Sequence, residues 1–194
     1  MTGGIGSGKS YVAHMFINRG IPTYFADKEA KRLMNAKGPL KETIKKLLGK
    51  DAYHSNGRLH RAYVASLIFE NKSLLKAINS LVHPAVKDDF IVWADNQKAP
   101  YVLEESAILY ENGLQTNFDQ VIVVTAPKEI RIRRVINRES ATRKQVLSRI
   151  KQQLPDEKKI ALANFVIIND GDSDLDNQID TIHRELMKIS VQKK

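Results

Sequence analysis

Apolar and polar positions along the chain fall into two alternating patterns. Short runs rich in Val, Ile, Tyr and Phe at residues 21–25, 101–105, 120–125 and 165–168 read as strands. Their nearly continuous apolar character is that of strands buried on both faces of a parallel sheet. The stretches between them carry helix signals. One helix runs over 9–18 and stops at Arg19-Gly20, a glycine C-cap. Another begins at Asp27 and ends before Gly38-Pro39. Pro127 occupies the favoured first position of a helix reaching residue 138. Thr142 and Gln145 have the spacing of a capping box, opening a helix that reaches residue 153. The last helix covers 175–189. Residues 27–94 hold no convincing strand and predict inserted helices, with Asn56-Gly57 marking a turn among them. Short strands alternating with helices predict an α/β doubly wound domain.

The length of 194 residues favours one domain over two independent cores. The absence of Cys excludes a disulfide framework, a thiolate metal site and a cysteine nucleophile. The longest apolar runs, such as 121–124 and 165–168, are four or five residues, far short of a membrane span. No signal-peptide pattern follows Met1, so a cytoplasmic protein is expected. The formal net charge is +9, and its distribution says more than its total. Residues 131–151 hold eight basic side chains (Arg131, Arg133, Arg134, Arg138, Arg143, Lys144, Arg149 and Lys151) against one acid, Glu139. Such a segment suits a grip on nucleic acid. It suits equally a lid over a compact polyphosphate, and composition does not choose.

The chemistry is sharpest near the amino terminus. Gly3-Gly4-Ile5-Gly6-Ser7-Gly8-Lys9-Ser10 fits G-x-x-x-x-G-K-[ST] at every fixed position. Glycines let successive backbone N–H groups converge on one point, and the helix behind them adds its positive end. Lys9 can reach β and γ phosphates, and the Ser10 hydroxyl can ligate Mg²⁺. A loop of this kind ordinarily follows a central strand, yet only Met1 and Thr2 precede Gly3. The expectation is therefore a chain that lacks most of its first strand, with the true start upstream. Each buried ladder group left unpaired on the neighbouring strands would cost about 1–3 kcal/mol.

With these segments in place, the sequence resembles the dephospho-CoA kinase family over essentially its whole length. The resemblance rests on an ordered set: the loop, Ala26-Asp27, Asn56-Gly57-Arg58-Leu59, Arg61, Ile68-Phe69, Leu81-Val82-His83-Pro84, Glu111-Asn112-Gly113-Leu114, Arg149-Ile150 with Gln153, and Asn169-Asp170-Gly171. Three places depart from the family pattern: Phe25-Ala26-Asp27 instead of Asp-Ala-Asp, Ala107-Ile108-Leu109 instead of Pro-Leu-Leu, and Arg138-Glu139 instead of Arg-Asp. The resemblance implies a three-layer P-loop NTPase fold with a five-stranded parallel sheet, an inserted helical acceptor-binding region and a helical lid. It implies a single kinase domain over 1–194, with a core of about 1–26, 99–126 and 154–194, the insertion at about 27–98 and the lid at about 127–153. The implied activity is transfer of the ATP γ-phosphoryl group to the ribose 3′-hydroxyl of dephospho-CoA. ATP and Mg²⁺ would serve it, in a monomer or weak homo-oligomer that binds small molecules and neither nucleic acid nor membrane. The rivals are another nucleoside or nucleotide kinase of the P-loop class and a nucleic-acid-binding NTPase.

The resemblance also implies roles residue by residue. Gly4, Ile5, Gly6, Ser7, Gly8, Lys9 and Ser10 would bind nucleotide, with Ser10 on the metal and Lys9 also catalytic. Asp27 matches the catalytic base; by residue type alone it is equally a helix N-cap. Arg61 and His83 would contact the acceptor, although a solvated helix face and a structural histidine are the plain alternatives. His83 precedes Pro84, which biases it toward extended geometry at a helix entrance. Arg149, then Arg134, would stabilise the transferring phosphoryl group. Asn169 would lie near the adenine or simply form a turn. At Glu104 and Glu105, which end a strand, the family usually has apolar residues and the resemblance assigns nothing; by position alone Glu105 is a candidate partner of Mg²⁺ through its bound water.

Overall fold

The structure, a computed structural model, describes residues 1–192; the end of the core segment expected at 154–194 therefore lies outside the described residues. The chain divides into two compact units: Met1–Tyr24 with the residues from Lys98 onward, and Phe25–Gln97.

In the first unit, the strands are β1 (Thr23–Phe25, its last residue at the boundary), β2 (Leu103–Glu105), β3 (Ile122–Thr125) and β4 (Phe165–Ile168). Helix α1 is Lys9–Ile17. The strands fall where the apolar runs predict them, trimmed by up to two residues at their starts. They form two two-stranded sheets, β1 with β2 and β3 with β4, the latter parallel with Ile122 opposite Phe165. The expected five-stranded sheet is thus not formed as such. Between the two sheets the chain offers only Met1 and Thr2, enough for a parallel bridge to Val123 but not for a strand.

Those two residues nonetheless serve both neighbours. The Met1 amino group donates to Glu104 O (2.5 Å), and Met1 O accepts from Ser106 N (3.0 Å). Thr2 N donates to Ile122 O and Thr2 O accepts from Val124 N, each at 2.8 Å. The unpaired ladder groups expected on both flanks are satisfied at these four positions.

Phe25–Gln97, the second unit, is helical: α2 (Ala26–Asn35), α3 (Pro39–Leu48), α4 (Arg61–Glu70) and α5 (Lys72–Asp95). Its core gathers Ile44, Leu48, Ala52, Tyr53, Val64, Ile78 and Val82. The turn at Asn56-Gly57 is present, with Gly57 at φ +79° and its N–H on His54 O at 2.8 Å. The extended geometry expected for His83 is not: His83 and Pro84 lie in the middle of α5. Proline removes the N–H that would reach Ser80 and costs about 3 kcal/mol in a helix interior. Ile78 and Val82, buried just before it, supply the tertiary packing that overrides the local bias.

The rest of the first unit comprises α6 (Lys128–Glu139), α7 (Arg143–Lys151), α8 (Asp156–Ala161) and α9 (Leu175–Gln192). The capping box at Thr142 and Gln145 forms as the spacing predicts. Pro127 stands one residue before α6, as its N-cap. Ile132 and Val135 of α6 and Val146 of α7 make a dry cluster against which Ile5 of the glycine loop packs. No helix among the described residues is long and apolar enough to cross a membrane.

Candidate phosphate-binding site

The glycine loop runs from Thr2, fixed on β3, into α1. Gly6 and Gly8 adopt φ of +79° and +89°, which side chains rarely tolerate. Space forbids a side chain as well: a Cβ on Gly6 would lie 2.5 Å from Arg131 O, and one on Gly8 would collide with the Asn169 amide. Gly8 is the N-cap of α1, and no side chain caps that helix. The first-turn N–H groups of a helix have no partner inside it, and this end of α1 carries Lys9 and Ser10.

Three side chains hold the loop from outside. Arg131 Nε donates to Ile5 O at 2.8 Å, and Ile5 N donates to Gln153 Oε1 at 2.7 Å. Asn169 Nδ2 donates to Ser7 O at 2.9 Å. Arg131 is 3% exposed and ion-paired to Asp156, so it is a girder beneath the loop and not a mobile lid arginine. The sequence reading passes over Arg131, Gln153 and Asp156 as shapers of the loop. The signal existed for one of them: Arg131 lies four residues before buried Val135, on the same inward face of α6.

Of the expected nucleotide-binding residues, the loop from Gly4 to Ser10, Arg134 and Asn169 come together here. Arg134 Nη1 donates to Asn169 O at 2.9 Å and Nη2 to Asn169 Oδ1 at 3.2 Å. Asp170 braces the turn that follows, accepting from Ser173 N at 2.8 Å; these main-chain and hydroxyl donors hold its carboxyl below the usual carboxylate range. Arg149 is elsewhere engaged: it and Arg138 both pair with Glu139. Glu105 is 6% exposed at the end of β2. Ser10, exposed at the start of α1, suits Mg²⁺, which takes few protein ligands and fills its octahedron with phosphate oxygens and water. No group of three or more His, Cys, Asp or Glu among the described residues could hold a metal by itself.

The second unit carries Asp27, Arg61 and His83. Asp27 is exposed in the first turn of α2, whose N-cap is Phe25, so the N-cap alternative for Asp27 does not hold. A carboxylate at this position is favoured by the positive end of the helix. Arg61 is exposed at the first position of α4. Burial pushes the His83 imidazole below its ordinary pKa.

The chain is similar to known proteins. The family model described as dephospho-CoA kinase matches residues 1–174. The chain is 36% identical over 180 residues to a Bacteroides fragilis protein named dephospho-CoA kinase, covering 92% of this chain and 87% of that one. A Porphyromonas gingivalis protein of the same name is 38% identical over 157 residues, or 79% and 77% of the two chains. Among solved structures, a Thermus thermophilus protein, TT1252, superposes with a TM-score of 0.83 at 34% identity, covering 96% of this chain and 94% of that one. The dephospho-CoA kinase from Campylobacter jejuni shares the fold with a TM-score of 0.68 at 23% identity, over 96% and 95% of the two chains. The chain belongs to the dephospho-CoA kinase family.

Proposed function

We propose that this protein transfers the γ-phosphoryl group of ATP to the ribose 3′-hydroxyl of dephospho-CoA, giving coenzyme A and ADP. The observation that carries the reading, beside family membership, is a glycine loop pinned on its outer side by Arg131, Gln153 and Asn169. Its inner amides are thereby left for phosphate. Such preorganised donors cost no reorganisation when charge develops, and phosphoryl transfer asks chiefly for positioning and charge stabilisation.

Lys9 would neutralise the β and γ phosphates and Gly8 would offer its main-chain N–H, whereas the Ser7 N–H already donates to Gly4 O at 3.1 Å and shapes the loop. Ser10 would hold Mg²⁺, which when bound screens charge on the phosphate oxygens. Arg134, anchored on Asn169 beside Gly8, is poised for phosphate, and Arg149 would join on exchanging Glu139 for the nucleotide. Asp27 would orient the acceptor hydroxyl and take its proton as the new O–P bond forms and the bond to the ADP oxygen breaks. Arg61 and His83 belong to acceptor binding, Glu105 to the water around the metal, and α6–α7 to a lid that excludes water. The chain fits a cytoplasmic enzyme working as a monomer or weak homo-oligomer.

The charge pattern of the lid favours this reading over a nucleic-acid NTPase. Arg131, Arg134, Arg138, Arg143 and Arg149 are all engaged by protein groups, which leaves Arg133, Lys144 and Lys151 as the remainder of the basic run. An ADP-release assay with dephospho-CoA, nucleosides and nucleoside monophosphates as acceptors tests the assignment. Turnover is expected with dephospho-CoA alone. Turnover confined to a nucleoside or its monophosphate would replace the proposal with the rival kinase, and stimulation by DNA or RNA with the nucleic-acid NTPase.

A further inference from the structure

The Ile5 main chain is held on both sides by the segment that includes α6 and the residues after α7. Its C=O accepts from buried Arg131, and its N–H donates to Gln153. Gln153 is itself well founded. Its amide nitrogen lies 3.4 Å from Ala107 O, and the next residue, Leu154, donates its N–H to Glu111 Oε1 at 2.9 Å. The same carboxylate oxygen stands 2.7 Å from Nζ of Lys159, which is wholly buried. A loop amide is therefore fastened to the Gln153 side chain, and the main chain just after that residue is held by the Glu111–Lys159 ion pair.

From this we infer that Gln153 is a positioning residue for nucleotide binding, a reading that rests on the proposed kinase function. By taking the Ile5 N–H, Gln153 directs that amide out of the concave side. The peptide planes of Gly6 to Ser10 are then oriented before any phosphate arrives. Arg131 and Asn169 pin two carbonyls, whereas Gln153 fixes a donor, the type of group that phosphate would otherwise attract. Preorganisation of this kind acts on affinity by reducing the ordering that binding must impose.

Amide hydrogen exchange on the wild-type protein, followed by titration with Mg-ATP, tests this directly. The Ile5 amide should exchange slowly without ligand and remain unchanged on saturation, while the Gly8, Lys9 and Ser10 amides gain protection. The near-isosteric Gln153→Met, which removes the carbonyl acceptor, should speed Ile5 exchange. It should weaken Mg-ATP binding about tenfold and raise the KM for ATP in step, with kcat and the KM for dephospho-CoA within about twofold of wild type. Fast Ile5 exchange in wild-type protein that binds Mg-ATP overturns the strut even if the variant does not fold. So does a folded Gln153→Met with unaltered ATP affinity. Absence of Mg-ATP binding by wild-type protein, with Ile5 protected, instead overturns the kinase reading and the positioning role with it.

Discussion

Arg134 and Asn169 form a closed pair beside the glycine loop: the guanidinium donates to both the main-chain and the side-chain oxygen of Asn169, leaving the Asn169 amide to reach Ser7 O. The asparagine is 6% exposed, and each polar group of its side chain has a partner. Its orientation is thus set by chemistry, because exchanging oxygen and nitrogen would oppose like groups on both sides. Through it, an arginine of α6 and a carbonyl of the loop are kept in fixed relation.

Asn169→Asp should break this relation while barely altering shape. The carboxylate still accepts from Arg134 but presents a second acceptor to Ser7 O. Losing a buried hydrogen bond and leaving its partner unsatisfied costs about 1–3 kcal/mol. Thermal unfolding should register that loss, and calorimetry should find Mg-ATP affinity reduced by about tenfold or more. An unchanged melting temperature with unchanged affinity would remove Asn169 from the loop's support.

Gly6→Ala and Gly20→Ala separate backbone strain from loop geometry. Both glycines have positive φ, +79° and +80°, so alanine at either costs on the order of 1–2 kcal/mol. Around Gly20 nothing lies within 4 Å of a new Cβ, whereas at Gly6 it meets the main chain of Arg131. Gly20→Ala should lower stability and leave ATP affinity intact. Gly6→Ala should abolish measurable ATP binding, because the backbone atoms it strikes belong to the residue that holds Ile5. Equal affinities in the two variants would dissociate the loop's shape from binding.

Asp27→Asn probes the chemical step. The side chain is exposed, so the substitution should leave the melting temperature within about a degree, surface changes of this kind being small. Losing a general base typically costs about 10²–10⁴ in rate, and kcat should fall by that much while the KM for ATP is nearly preserved. Steady-state kinetics with varied ATP and dephospho-CoA provide the check; wild-type turnover would confine Asp27 to favourable charge at the helix start.

What could be read from the sequence followed from local rules. The four strands, the capping box of α7 and the glycine loop are each specified by residues close in the chain, and each formed. The sheet differed because its centre depends on how two residues, Met1 and Thr2, pair with partners about a hundred positions away. Pro84 misled for the opposite reason: its local bias is real, but Ile78 and Val82 bury α5 firmly enough to carry the helix through it. The loop's outer supports were the hardest to foresee. Gln153 and Asn169 are ordinary polar residues by type, and their roles arise only where distant segments converge on single carbonyls and amides. Arg131 alone carried a signal, its four-residue spacing from Val135, although the surrounding basic run makes it easy to overlook.

The last prediction concerns pH and the helical unit. Burial lowers the His83 pKa below 6.5, so the folded state favours neutral imidazole and the unfolded chain binds the proton more readily. Above the unfolded value both states are neutral and His83 contributes its full packing. As pH falls through 6.5, the unfolded state takes up protons first and stability declines, until the folded pKa is passed and the loss levels off. His83→Gln removes the titration while keeping a polar side chain of similar reach. Denaturant unfolding between about pH 7.5 and 5 should therefore show a shallower decline in the variant than in wild type. Coincident slopes would mean that the imidazole exchanges protons in the fold as freely as in the open chain, and that its half-buried place in α5 does not govern its charge.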